Sequence, residues 1–415
     1  MLGRAGLELR YPAEFLWLIA LAFFLPLFEA PKHICLAGFV VTWLANRVRT
    51  REWGGPWDRW DTLIAVWIAS AYLVAAFAGV HGDEWRGATD VLKYGSVLWL
   101  LKRSRYDERA FLWILGTVIA ATLVAFAWGC WRLYVTKANI FLELNSVGYF
   151  NHSAVYLGIV FGTSLSVALA YWDKLGAAGK AALGIAVIAL LGSVFVTASR
   201  AAVGAVVLLV FAIVAAFGVR GRINVRKGLT IASLVVVITL AGFPGVLHRT
   251  VDTTVDGIPF SYRDNLWSNA LVEWRQHPLF GVGMGNFGRI SLDQLQEWNK
   301  SWDWKIRPTA EGRSSHAHSL YLTTLAERGL VGFGVLLAVL VAWGVALARG
   351  LPAARDPLDW TLLGAAFAAW FVTITVGIVN TTLHDEHGIL SALLFGLWLG
   401  HRAARGRPDR VQHRP

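Results

Sequence analysis

Twelve runs of mostly apolar residues dominate this chain. They lie near residues 12–31, 33–47, 61–80, 88–101, 110–131, 149–171, 181–198, 201–219, 228–246, 319–348, 358–380 and 383–401. A helix that crosses a bilayer needs about 20 such residues, and the second and fourth runs are short for a full span. Hydrocarbon offers no partner for a free N–H or C=O, so runs of this kind are predicted to be helices. Period-two alternation is absent, which excludes a transmembrane barrel. Only 16% of the 415 residues are charged, against about 25% in soluble domains, so disorder and an ordinary soluble multidomain protein are excluded too. The 21 tryptophans suit membrane–water interfaces. The expected fold is an all-α polytopic membrane protein of about 12 transmembrane helices.

The formal net charge of +11 could mark a nucleic-acid binder or basic cytoplasmic loops, and the positions decide. With the N-terminus placed in the cytoplasm and sides alternating, 23 Lys and Arg fall in short inner segments. Only five, Lys32, Arg86, Arg132, Lys137 and Arg200, fall in short outer ones. The positive-inside rule then supports the twelve-span count with both termini cytoplasmic, and no nucleic-acid partner is expected. The first run follows Arg4 and Arg10 but has no small-residue cleavage site after it, so it reads as an uncleaved anchor. Cys35 and Cys130 are too few for a disulfide framework.

The implied division is residues 1–247 with helices 1–9, a large outer loop at 248–317, helices 10–12 at 318–402, and a basic tail at 403–415. Loops this long are usually functional. In it, Ser261 could cap a helix through Tyr262, Leu266, Ala270 and Trp274 that ends at His277-Pro278, and a second helical stretch runs from Ser291 to Lys300. Between them Gly281-Val282-Gly283-Met284-Gly285 could cradle a phosphate, or simply turn tightly against the bundle. It matches neither the P-loop nor the dinucleotide pattern. Nine basic residues, counting Arg328 just inside the next run, include Arg249, Arg263, Arg275 and Arg289. They point to an anionic partner, either a substrate or lipid headgroups.

Four polar features gather at the outer ends of runs. Arg200 joins spans seven and eight through Thr197-Ala198-Ser199 with almost no loop, and an arginine there is a functional candidate. Ser315-His316-Ala317-His318 leads into the tenth span, where His318 suits a general base. His316 lies two residues away, a spacing that does not stack on one helix face. His384-Asp385-Glu386-His387 has a metal-ligand composition but no closed tetrahedral spacing, so Asp385 is better read as orienting a His or an Arg. Asn151-His152 opens the sixth span.

These residues resemble the O-antigen ligase family of lipopolysaccharide assembly, within the wider group of O-antigen polymerases and O-oligosaccharyltransferases. The most specific match is His318-Ser319, nine residues, then Gly329-Leu330-Val331-Gly332. Arg263 through Trp267 with Pro278, Gly281, Gly283 and Phe287 matches the loop pattern, and Ser199-Arg200 matches the membrane-end arginine. Gly148-Tyr149-Phe150-Asn151 matches in part, because His152-Ser153 follow where the pattern has Pro-Asn.

The resemblance implies a GT-C-like glycosyltransferase in the bacterial inner membrane, working at its periplasmic face. It would move O-antigen glycan from undecaprenyl diphosphate onto lipid A–core oligosaccharide, with no cofactor and no metal. His318 would be the base, and Arg200, Arg263 and Arg289 would hold the diphosphate. Asp385, His316, Asn151 and Tyr262 would support them. O-antigen polymerase and protein O-oligosaccharyltransferase are the nearest rivals, and a lipid or solute transporter is the non-enzymatic one.

Overall fold

The computed structural model describes residues 10–221, 225–253, 263–300 and 314–405. They form α1 (Pro12–Phe24), α2 (Glu29–Thr50), α3 (Arg59–Ala76), α4 (Glu84–Arg103), α5 (Glu108–Cys130), α6 (Phe150–Tyr171), α7 (Ala177–Val196), α8 (Arg200–Val219) and α9 (Val225–Thr253). Then come α10 (Arg263–Gln276), α11 (Leu292–Asn299), α12 (Leu320–Gly350), α13 (Pro357–Val376) and α14 (Asp385–Arg405). No strand occurs among the described residues. Every one of the twelve apolar runs is a helix.

Among the described residues, six segments are long and apolar enough to cross a membrane: Glu108–Val135, Phe150–Lys174, Ala177–Val196, Arg200–Val219, Leu320–Ala353 and Pro357–Val376. The fold is that of a polytopic membrane protein. The short second and fourth runs extend to 22 and 20 residues as α2 and α4, because charged residues at both ends continue the helix past the apolar stretch. Glu29 and Lys32 start α2, and Lys102 and Arg103 end α4.

Local chemistry sets the helix ends. Asp58 and Asp356 form capping boxes with Asp61 and Asp359, and Pro357 fills the first position of α13, where its missing N–H costs nothing. Ser319 and Ser291 accept from Leu322 and Gln294 N–H at the starts of α12 and α11. In the centre, α6 is buried along nearly its whole length and packs on α13 and α8. Glycines permit that closeness: a Cβ on Gly162 would lie 2.5 Å from Ala368 Cβ, and one on Gly364 would lie 2.2 Å from Ser166 Oγ.

The two ends of the bundle differ. One end collects the N-termini of α2, α4, α6, α8, α12 and α14. The other is closed by ion pairs: Arg103 with Asp61 at 2.8 Å, Arg47 with Glu14 at 3.4 Å, and Arg405 with Asp359 at 2.7 Å. His401 Nε2 adds a 2.7 Å contact to Asp359. Breaking the buried Arg103–Asp61 pair would cost about 3–5 kcal/mol.

The glycine run is stitched into the bundle. Val282 and Gly283 N–H donate to Ala326 and Glu327 C=O at 2.9 and 3.0 Å, and Leu330 and Val331 N–H donate to Pro278 and Leu279 C=O at 2.8 and 3.1 Å. Gly281 and Val282 C=O accept from Gly79 and Val80. α12 breaks at Gly329 (φ 57°) to admit this strand-like passage. A Cβ on Gly329 would sit 2.3 Å from the Leu279 carbonyl carbon. This explains why a glycine stands eleven residues after His318, and it shows that the amides of the run are committed to structure instead of cradling an anion.

Candidate active site

The site lies at the end where six helix N-termini meet, a region of positive potential from the helix dipoles. Arg200 is the first residue of α8. The buried residue before it, Ser199, donates its hydroxyl to Asn151 Oδ1 at 2.8 Å. Asn151 therefore fixes the start of α8 against the start of α6, which places Arg200. This gives the Asn151 of the partial sequence match a defined positioning contact, although His152-Ser153 follow it.

Arg263 opens α10. Burial first, and the Arg200 guanidinium second, pull its pKa below the ordinary arginine range, while Tyr149 acts the other way. Two guanidiniums close enough to repel are relieved by an anion between them. His318 feels the same arginine: burial and then Arg263 lower its pKa, with Asn380 opposing. Its imidazole is therefore neutral at neutral pH, the form a general base needs. His318 Nδ1 is buried and forms no hydrogen bond among the described residues. Arg200, Arg263 and His318, predicted to work together, are within electrostatic reach of one another through Arg263.

The backbone is strained here. Four of the six non-glycine residues with positive φ among the described residues are Ala198 (57°), His318 (48°), Leu383 (57°) and Asp385 (36°). They stand two residues before Arg200, at the candidate base, and at the turn into α14. Such conformations cost about 1–3 kcal/mol each and gather at functional sites.

Around His318 the structure assembles four more histidines. The His316 and His318 rings lie 4.6 Å apart. Their segment is not helical, so the two-residue spacing does not separate them. His152 lies 5.7 Å from His316 and 5.2 Å from both His384 and His387, ring centre to ring centre. Burial, with His318, His152 and His384 adding to it, holds His316 down at about 2, so it stays neutral.

His152, His384 and His387 each bring a ring nitrogen within 4.8 Å of the others, a grouping that could take a metal ion. The hydrogen bonds disfavour that use. His384 N–H donates to His387 Nδ1 at 3.1 Å, so neutral His387 carries its proton on Nε2. That nitrogen then donates to His152 Nδ1 at 3.0 Å. A shared metal would require both bonds to be given up.

Sequence reasoning missed what holds this turn. Lys32, fully buried, pairs with Glu386 and lies 3.2 Å from Ser146 Oγ, and Ser146 donates to Glu386 at 3.0 Å. The partners are 354 residues apart, and Lys32 in sequence looks like one more loop charge. Among the described residues, Asp385 pairs with the adjacent His384 at 3.3 Å and with no arginine. Arg289 pairs with Asp83 at 2.6 Å, both half exposed, an exchangeable contact worth little in water. Tyr262 lies outside the described residues, as do Lys305, Arg307 and Arg313. A cavity of about 250 Å³ adjoins the cluster, with His316, His384, Glu327 and the buried Arg328 among its lining residues.

The O-antigen ligase family model matches residues 185–337. That stretch, a little over a third of the chain, is similar to the O-antigen ligase family. No curated protein matches the chain. The matched stretch contains Arg200, Arg263, Arg289, His316 and His318. Asn151, His152 and the His384–His387 turn lie outside it, and the fold brings them to its face.

Proposed function

We propose that this chain is an O-antigen ligase. It would move a glycan from undecaprenyl diphosphate onto lipid A–core at the periplasmic face of the bacterial inner membrane. In this reading twelve helices span, both termini are cytoplasmic, and the architecture is GT-C-like. The observation that carries the reading is the electrostatic linkage of Arg263 to both Arg200 and His318 at one end of the bundle. A transporter would concentrate such groups at the midplane.

The chemistry is a single displacement. The acceptor sugar oxygen attacks the anomeric carbon, and the bond to the diphosphate oxygen breaks with its electron pair. The acceptor proton passes to the His318 imidazole and then to solvent. Arg200 and Arg263 neutralise the charge growing on the diphosphate, with Arg289 available if it exchanges Asp83 for a phosphate oxygen. A preorganised donor of this kind is worth about 3–4 kcal/mol. One displacement inverts the anomeric configuration, and no metal takes part. The adjoining cavity has room for one acceptor sugar, and its threonines and His384 offer hydrogen bonds to hydroxyls.

The acceptor is tested by supplying the purified chain with lipid-diphosphate glycan and, in parallel, lipid A–core, a second donor glycan, or an acceptor protein. Transfer to lipid A–core alone is expected. Transfer only to glycan or to protein would replace the ligase reading with a polymerase or an oligosaccharyltransferase.

A further inference from the structure

The end of the bundle opposite the histidines holds a cavity of about 770 Å³, within the ~300–1,000 Å³ range of small-molecule sites. Five arginines line it: Arg10, Arg47, Arg51, Arg103 and Arg105. Glu52 is the one carboxylate among the lining residues, and it is engaged by Arg10 at 2.5 Å in an exposed pair. We infer that this cavity binds a phosphate group, that of an anionic lipid headgroup in the leaflet at this end.

The wall is built, not incidental. Arg103 Nη1 donates to the carbonyl oxygens of Trp53 and Gly55 at 2.6 and 2.9 Å, and its Nε and Nη2 donate to Asp61 at 3.0 and 2.8 Å. Gly54 (φ 76°) is pressed so close that a Cβ there would lie 2.2 Å from the Arg103 carbonyl oxygen. The α2–α3 connection is thereby held as a rigid rim.

Arg47 points to a ligand independently. It is only 4% exposed, yet its Nε and Nη1 form no hydrogen bond among the described residues. Nη2 makes only a long 3.4 Å contact to Glu14, and the guanidinium lies 4.6 Å over the rings of Tyr11 and Trp43. Arg47 is among the lining residues, and its unpartnered Nε and Nη1 offer three N–H donors in the planar fork that phosphate oxygens accept. Trp53 and Trp57 beside it are exposed at 42% and 60%. Exposed tryptophans of this kind mark headgroup depth in a membrane protein, and basic pockets between helices are where anionic headgroups bind.

The test uses the full purified chain in detergent. Native mass spectrometry and thermal unfolding are recorded with phosphatidylglycerol, with phosphatidylcholine, and with inorganic phosphate. The wild type is compared with Arg51→Gln/Arg105→Gln, which alters only exposed side chains, and with Arg51→Lys/Arg105→Lys as the charge-retaining control. One phosphatidylglycerol retained per chain is expected, with apparent affinity at least tenfold weaker in the Gln pair and near normal in the Lys pair. Phosphatidylcholine should not be retained. If inorganic phosphate alone stabilises the wild type with the same dependence on the arginines, the phosphate chemistry stands and its source is soluble. Equal retention of phosphatidylglycerol by the wild type and the Gln pair, with no response to phosphate, would overturn the inference.

Discussion

His318 can be separated into its backbone and its imidazole by two substitutions. Its φ of 48° is left-handed, a conformation that costs a residue bearing a Cβ about 1–2 kcal/mol and costs glycine almost nothing. His318→Ala keeps that strain and loses the ring, which packs 4.6 Å from His316. His318→Gly loses the same ring but releases the strain. The glycine variant should therefore be the more stable of the two by about 1 kcal/mol. Both should lose ligation by roughly 10²–10⁴-fold if His318 is the general base.

Thermal unfolding of the purified variants at one scan rate reads the first quantity, and single-turnover ligation reads the second. Millimolar imidazole should restore part of the activity of the glycine variant, because the removed ring leaves a space beside Arg263 and His316. If His318→Gly ligates within tenfold of wild type, the imidazole is not the base. Equal stability of the two variants would mean that the backbone at this position is not strained.

Three further outcomes follow from the packing. Arg263 holds the His318 pKa below its ordinary value, so the acid limb of kcat/KM should lie below pH 6.5 in the wild type. It should move upward in Arg263→Gln and stay in place in Arg263→Lys; an unmoved limb in the Gln variant would refute the coupling. Glu273 is raised well above its ordinary pKa by burial and then by Glu327. Its contribution to stability is complete below the unfolded carboxyl value and is lost as pH rises toward the folded one. Glu273→Gln should flatten that decline in thermal stability above the ordinary carboxyl range, and an unchanged slope would show that the group is not protonated in the folded state. Gly329→Ala places a Cβ on the Leu279 carbonyl, in a left-handed position that alone costs about 1–2 kcal/mol. It should unfold earlier than wild type, whereas Gly334→Ala, with open space around it, should not.

The helices were legible because burial in a membrane demands long apolar runs, and each of the twelve runs became one helix. The loop helices were legible too: the stretch expected from Ser261 holds α10 at Arg263–Gln276, and the stretch from Ser291 holds α11 at Leu292–Asn299. The candidate site residues were chosen by residue type and position along the chain. Arg200, Arg263 and His318 stand where a helix begins, and a helix start at that end must face the same solvent.

Contacts set by tertiary approach were hidden. Nothing in the spacing of His152 and His387, or of Lys32 and Glu386, says that they meet. Arg289 reads as a phosphate ligand by its neighbours in sequence, and only the fold shows Asp83 at its guanidinium. His316 was set apart from His318 by a helical rule that this non-helical segment does not obey. The glycine run carries a composition shared by anion cradles and tight packing, and only the hydrogen bonds of Val282 and Gly283 to α12 decide between them.

The proposed mechanism has three side chains acting together on a lipid-diphosphate glycan. The most direct measurement is single-turnover transfer to lipid A–core by the purified chain in the presence of chelator, comparing wild type, Arg200→Lys, Arg263→Lys and His318→Gly. Full wild-type activity in chelator is expected, with a product inverted at the anomeric carbon. Each lysine variant should be slowed by about 10²-fold or more, because a point charge lacks the planar fork. Wild-type rates in the lysine and glycine variants, or abolition of wild-type transfer by the chelator, would contradict it.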